Sequence, residues 1–132
     1  MLKFMLDTNI CIYVIKRKPL EVLKKFNDCA SELCISSITL AELLHGAEKS
    51  ERRLENLRVV EDFVSRLDVL DYSAKAAAHY GDIRAFLEKK GQIIGVNDLH
   101  IAAHARSEAL VVVSNNLKEF DRVDGLRSVN WI

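Results

Sequence analysis

Leu110-Val111-Val112-Val113 is a run of four apolar residues, three of them β-branched, with no polar residue at alternate positions. Branching at Cβ favours an extended backbone, and a strand without a polar face must be covered on both sides. Strands of that kind belong to parallel sheets, where the chain returns to the starting edge through a helix. The remaining segments meet this demand. "KFML" at 3–6 is a short apolar strand, and the stretch from Ile10 to Ile15 continues as a helix up to Lys18-Pro19, where the proline begins a second helix. "LCISS" at 33–37 has strand composition, and Thr39 opens a helix in which Leu40, Leu43, Leu44 and Ala47 recur at helical spacing. A further helix covers about Arg53 to Leu67, and "DVLDY" at 68–72 is a third strand. A long helix from Ser73 to Lys90 stops at Gly91, a natural left-handed cap, and Asn97 caps a helix running to Ser107. "SVNWI" at 128–132 supplies the last strand. This order predicts an α/β fold, a Rossmann-like three-layer α/β/α sandwich with a mostly parallel central sheet, formed as one domain over residues 1–132.

In a parallel sheet the carboxyl ends of the strands collect on one edge, where ligands bind. Acidic residues fall there repeatedly. Asp7 follows the first strand, Glu42 lies early in the helix after the second, and Asp98 opens the helix leading into the fourth. The fourth strand then ends in Ser114-Asn115-Asn116, with Glu119 one turn later. Local structure offers another account of each. Asp7 is suited to N-cap the following helix, Asp98 to complement a helix dipole, and Thr39-Leu40-Ala41-Glu42 matches a capping box. Asn116 reads as a turn residue or a ligand, and Glu119 as a surface acid on a short helical turn. Taken together, the acids demand more than capping. Two carboxylates about 4 Å apart repel by about 4 kcal/mol at an effective dielectric near 20, so a cation belongs among them. Oxygen donors without a nearby cysteine set point to Mg²⁺ or Mn²⁺ rather than zinc.

The other candidates are weaker. His100 and His104 share a helix face, but Ile101 stands where a zincin has glutamate, and no third ligand follows, so packing is the better account. Cys11, Cys29 and Cys34 form no C-x-x-C pair and read as small buried hydrophobes. With 19 basic and 19 acidic residues the chain has no overall field to hold it on nucleic acid or anionic lipid, so a polyanion must be gripped locally. Short basic groups such as Lys16-Arg17-Lys18 are ordinarily solvated. The apolar runs are too short for a bilayer span and no signal peptide is evident, which predicts a soluble cytoplasmic protein without a membrane partner.

Four stretches together, "MLDTNICIY", "ISSITLAELLHGAEKS", "IGVNDLHIAAHARS" and "LVVVSNNLKEFDRVDGLRSVNW", resemble the PIN-domain ribonucleases and, within them, the VapC toxins of bacterial toxin–antitoxin pairs. The resemblance spans nearly the whole chain. It implies a PIN-like sandwich whose acidic pocket cleaves RNA, with Mg²⁺, for which Mn²⁺ can substitute, held by Asp7 and Asp98. Asp7, Glu42 and Asp98 match the family's three acidic core positions. Thr8 and Asn9 complete the first motif, and Ser114 stands where threonine is usual, giving three residues to position substrate or water. Many relatives have aspartate where this chain has Asn116, so either Asn116 acts as a neutral ligand or Glu119 supplies the charge. The resemblance further implies inhibition by a cognate VapB antitoxin, contact with operator DNA only through that antitoxin, a homodimer, and an RNA substrate, initiator tRNA at its anticodon stem-loop in several relatives. Two rivals remain at this stage. A receiver domain would use Asp71 as phospho-acceptor and a lysine such as Lys118, and an inactive PIN-fold protein would only bind a partner.

Overall fold

The computed structural model describes residues 1–132. The chain runs β1 (Phe4–Leu6), α1 (Thr8–Lys16), α2 (Leu20–Asp28), β2 (Leu33–Ser36), α3 (Ser37–Glu48), α4 (Arg53–Val64) and β3 (Asp68–Leu70), with a single 3-10 turn before β2. It continues through α5 (Ala74–Lys90), α6 (Val96–Ser107), β4 (Val111–Val113), α7 (Leu117–Phe120) and β5 (Arg127–Val129). The five strands pair in the order β3-β2-β1-β4-β5, and every pairing is parallel.

Strand alternation divides the core into two layers. Leu6, Leu33, Ile35 and Val113 face one side, against Ile10 and Val14 of α1, Val22 and Phe26 of α2, and Val60 and Phe63 of α4. Met5, Cys34 and Val112 face the other, against Ile83 and Leu87 of α5, Leu99 and Ala102 of α6, and Phe120 of α7. The handedness rule explains the split. Connections from β1 to β2 and from β2 to β3 progress one way across the sheet and lay their helices on one face, whereas the return through α5 and α6 progresses the other way. Both faces of β4 are therefore covered, as its three valines require.

Strand order reverses between β1 and β4, since the chain leaves β1 toward β2 on one side and returns through β4 on the other. At such a switch point the connections diverge and open a crevice beyond the carboxyl ends of the strands. Asp7 and Ser114 immediately follow these two strands.

Several local expectations need correction. α3 begins at Ser37, capped by the Ser36 hydroxyl, which accepts from the Ile38 N–H at 3.1 Å. Thr39 is thus inside the helix, its hydroxyl buried without a partner, so the Thr39/Glu42 capping box does not form. α6 is preceded by Gly95 rather than capped by Asn97, which lies in its first turn. α4 ends at Val64 and β5 covers 127–129, both shorter or earlier than their apolar patterns suggested. Gly91 behaves as expected, at φ 66° with its N–H returning to the Leu87 and Glu88 carbonyls. Nothing lies within 4 Å of a Cβ built there, so the cost of a side chain is backbone strain alone. Gly91→Ala is expected to lower unfolding free energy by about 1 kcal/mol, read as a shifted urea midpoint with unchanged slope.

Candidate active site

Asp7 is 4% exposed and terminates β1 as the N-cap of α1, its Oδ1 accepting the Ile10 N–H at 2.9 Å. The capping account is therefore correct and incomplete. The nearby Ser114 hydroxyl and the Ile10 and Asn9 N–H groups lower its pKa, yet burial outweighs them and raises it, with the Glu42 charge adding to the rise. A carboxylate kept desolvated despite that cost is held by the strand end rather than chosen for capping.

Glu42 lies in the second turn of α3, half-buried, and receives the Thr8 hydroxyl at 2.7 Å across 34 residues of sequence. One of its oxygens is thereby fixed toward α1. Asp98, in the first turn of α6, has its pKa pushed up to about 7. Burial is the largest cause, followed by a hydrogen bond and charge repulsion from Glu119, then the charges of Asp7 and Glu42. Glu119 is driven the other way, because Asp98, the Asn116 amide and the Gly95 N–H, the last at 3.3 Å, all donate to it. The two carboxyl groups are thus pushed in opposite directions, Asp98 up and Glu119 down.

Ser114 is fully buried, and its hydroxyl accepts the Asn116 N–H at 2.8 Å, folding the loop after β4 back toward Asp7. Asn116 directs its amide to Glu119. The two candidates for the fourth acidic position are hydrogen-bonded to each other, and Glu119 is the neighbour that most raises the pKa of Asp98 after burial. The side chain of Asn9 is exposed beside Asp7.

The structure brings Asp7, Glu42, Asp98 and Glu119 into one electrostatic neighbourhood, and none of the six ion pairs in the protein neutralises any of them. An all-oxygen donor set in which one carboxyl retains a proton to near neutral pH fits a hard divalent cation. The fit is one of chemistry and charge, because no three of these side chains are close enough together to grip an ion as they stand. The closed cradle expected from the sequence is instead an open, strongly acidic notch.

The rival sites are resolved by their contacts. His104 is buried with Nδ1 2.8 Å from the Ser36 hydroxyl, and His100 has Nδ1 2.8 Å from the Tyr72 phenol and stacks on Tyr80. Burial lowers both pKa values, and the two imidazoles serve packing. Asp71 is exposed beyond β3, an edge strand, where a receiver domain needs its acceptor on a central one. Asn115, placed at this edge by the sequence, bonds a residue the sequence reading does not single out, the Tyr13 phenol, at 2.9 Å. The available signal was the four-residue spacing of Asn9 and Tyr13, which puts both on one face of α1.

A family model described as "PIN domain" matches residues 4–126. The chain is 64% identical over 132 residues to Ribonuclease VapC2 of Haemophilus influenzae, covering the whole of both chains. It is 57% identical over 131 residues to the tRNA(fMet)-specific endonuclease VapC of Shigella flexneri, covering 99% of each. Its fold superposes on a crystal structure of DNA-bound VapBC from Salmonella typhimurium with a TM-score of 0.96, at 57% identity over the full length of both chains.

Proposed function

The chain belongs to the PIN-domain family and, within it, to the VapC ribonucleases, and we propose that it hydrolyses RNA phosphodiester bonds in the acidic notch with the help of Mg²⁺ or Mn²⁺. The observation that carries this reading is the gathering of Asp7, Glu42, Asp98 and Glu119 at the carboxyl edge of the sheet without an ion-paired cation, where burial first and the neighbouring carboxylates second raise the pKa of Asp98. Asp7 and Asp98 are the residues that would hold the metal. When bound there, a divalent ion offsets charge on the phosphate and lowers the pKa of water.

The remaining residues supply orientation. Thr8 occupies one oxygen of Glu42, leaving the other to accept a proton from an attacking water. Ser114 steadies Asp7 and turns the loop that carries Asn116, whose amide in turn aims Glu119 at Asp98. Asn9 offers an exposed amide to a phosphate oxygen at the mouth of the notch. These groups sit at the ends of a strand and helices, which is what a geometry-sensitive hydrolysis requires.

Initiator tRNA is the substrate favoured by similarity to the tRNA(fMet)-specific endonuclease of Shigella flexneri, and a cut at its anticodon stem-loop is part of the proposal. A VapB-type antitoxin is the proposed inhibitor. A trough of about 270 Å³ begins at Thr8 and Glu42 and runs over Ile12, Leu43 and Val60, joining a groove of about 500 Å³ floored by Val14 and Phe63. An apolar segment lying there could deliver a cationic side chain to the acids. DNA is reached through that partner, since the chain itself carries no net charge. A homodimer is supported by the exposed small face of α5, formed by Ala74, Ala77, Ala78, Gly81 and Ala85, against which another helix can approach closely. No helix is long and apolar enough to cross a membrane, which accords with action on RNA in the cytoplasm.

Inducing the chain in cells and sequencing the new RNA ends tests this reading. Discrete ends confined to one RNA class are expected, and they vanish with Asp98→Ala. An unchanged end profile would favour the inactive, partner-binding account instead.

A further inference from the structure

Tyr13 differs from the other aromatic side chains of the protein. Phe4 and Trp131, Phe26 and Phe63, and the Tyr72, Tyr80, His100 and His104 group all engage one another ring to ring. Phe86 lies beneath Lys90, and Phe120 is fully buried. Tyr13 is half-buried, with no ring stacked on it and no cation over it. It is nevertheless anchored at both ends of its side chain. The root packs on the core layer beneath α1, and the phenol oxygen receives the Asn115 amide at 2.9 Å, a link spanning 102 residues.

Its placement follows from helix geometry. Side chains on a helix lean toward its N-terminus, so a tyrosine in the second turn of α1 reaches back toward Asp7. Asn115 stands between Ser114, whose hydroxyl lowers the pKa of Asp7, and Asn116, whose amide bonds Glu119. The Tyr13 ring therefore forms a rim at the β1/β4 side of the notch. It lines neither the trough over Ile12 nor the groove over Val14, both proposed above for a protein partner. The exposed run Lys16-Arg17-Lys18 begins one turn further along α1, and the Arg17 and Lys18 N–H groups fold back onto the Tyr13 carbonyl. A fixed ring between a phosphate-cleaving notch and a basic segment has the layout of a single-strand binding surface, where aromatic faces take bases and cations take the backbone.

Resting on the ribonuclease reading, we propose that Tyr13 is a substrate-binding residue whose ring, held by Asn115, stacks on the nucleobase beside the scissile phosphate. The test uses antitoxin-free chain and an RNA oligonucleotide spanning a mapped cut, with Mg²⁺ for turnover and Ca²⁺ for binding by fluorescence anisotropy. Tyr13→Ala is expected to raise KM by roughly 5- to 150-fold with little change in kcat, while Tyr13→Phe, which keeps the ring but loses the Asn115 bond, raises it by less than Tyr13→Ala does. Removing the base beside the cut imposes the same penalty on the wild type and erases the difference between it and Tyr13→Ala. This arm needs no variant to fold. An unchanged KM for Tyr13→Ala, an abasic oligonucleotide cut as well as the intact one, or a loss confined to antitoxin affinity would each overturn the proposal. If the wild type cuts nothing, the ribonuclease reading fails separately. Anisotropy then decides on Tyr13: weaker binding by Tyr13→Ala supports the stacking role, and equal affinity overturns it.

Discussion

Asp7→Asn, purified free of antitoxin, is expected to cut RNA at least about 10³-fold more slowly than the wild type while keeping its melting temperature. The substitution preserves shape and the carbonyl oxygen that accepts the Ile10 N–H, and asparagine is as good an N-cap as aspartate. What it removes is one negative charge at the end of β1. A cation held by two carboxylates loses half of its ion-pairing, and several kcal/mol of transition-state stabilisation corresponds to three or more powers of ten in rate. The fold is not endangered, because burial already disfavours the charged form of Asp7. A melting curve beside a cleavage assay separates the outcomes. Loss of both together would mean that Asp7 acts mainly as a structural cap.

Asp98→Asn is expected to reduce cleavage by at least about 10²-fold and, unlike most substitutions of half-buried residues, to stabilise the metal-free protein at pH 8. The pKa of Asp98 is raised in the folded state to about 7 from an ordinary 3.8. The folded chain then binds the extra proton, so the contribution of this group to stability is fully present below about pH 4 and is lost as pH rises through about 7. At pH 8 in EDTA the wild type bears the full cost of a charged Asp98, which comes first from its burial and then from repulsion by Glu119, Asp7 and Glu42. The amide relieves it. Melting temperature should rise by a few degrees in the variant at pH 8 and by little at pH 5, and Mn²⁺ should stabilise the wild type more than the variant. Equal melting curves at both pH values would show that Asp98 faces solvent and carries no strain.

The parallel sheet and the gathering of acids at one edge were legible because they depend on patterns each segment displays alone. β4 could only be a strand covered twice, and a strand that ends at Asp7 beside one that ends at Ser114 puts both residues at the switch point. Gly91 likewise announces the end of α5 through its own backbone freedom. What could not be read were contacts between distant residues. Thr39 and Glu42 satisfy the local rule for a capping box, but Ser36 wins the cap and Thr8 claims Glu42 from 34 residues away. Ser36 also meets His104, which gives that histidine a structural partner its own helix could not reveal. Asn116 and Glu119 read as alternatives in the sequence because spacing alone does not show that the Asn116 amide bonds Glu119. The Tyr13–Asn115 link escaped for the same reason. Charge crowding was foreseen, but its remedy was overstated, since the carboxylates approach without closing into a preformed cage.

If four acidic side chains at the carboxyl edge of the sheet act on RNA through a divalent cation, withdrawing the ion stops the reaction. Cleavage of RNA by antitoxin-free chain is measured after exhaustive EDTA treatment and then during titration with Mn²⁺, and the chemistry of the new ends is determined. No cleavage is expected without metal, with saturable recovery as Mn²⁺ is added and 5′-phosphate and 3′-hydroxyl ends, because water is the nucleophile. Full cleavage in EDTA, or ends carrying a 2′,3′-cyclic phosphate, would contradict this mechanism.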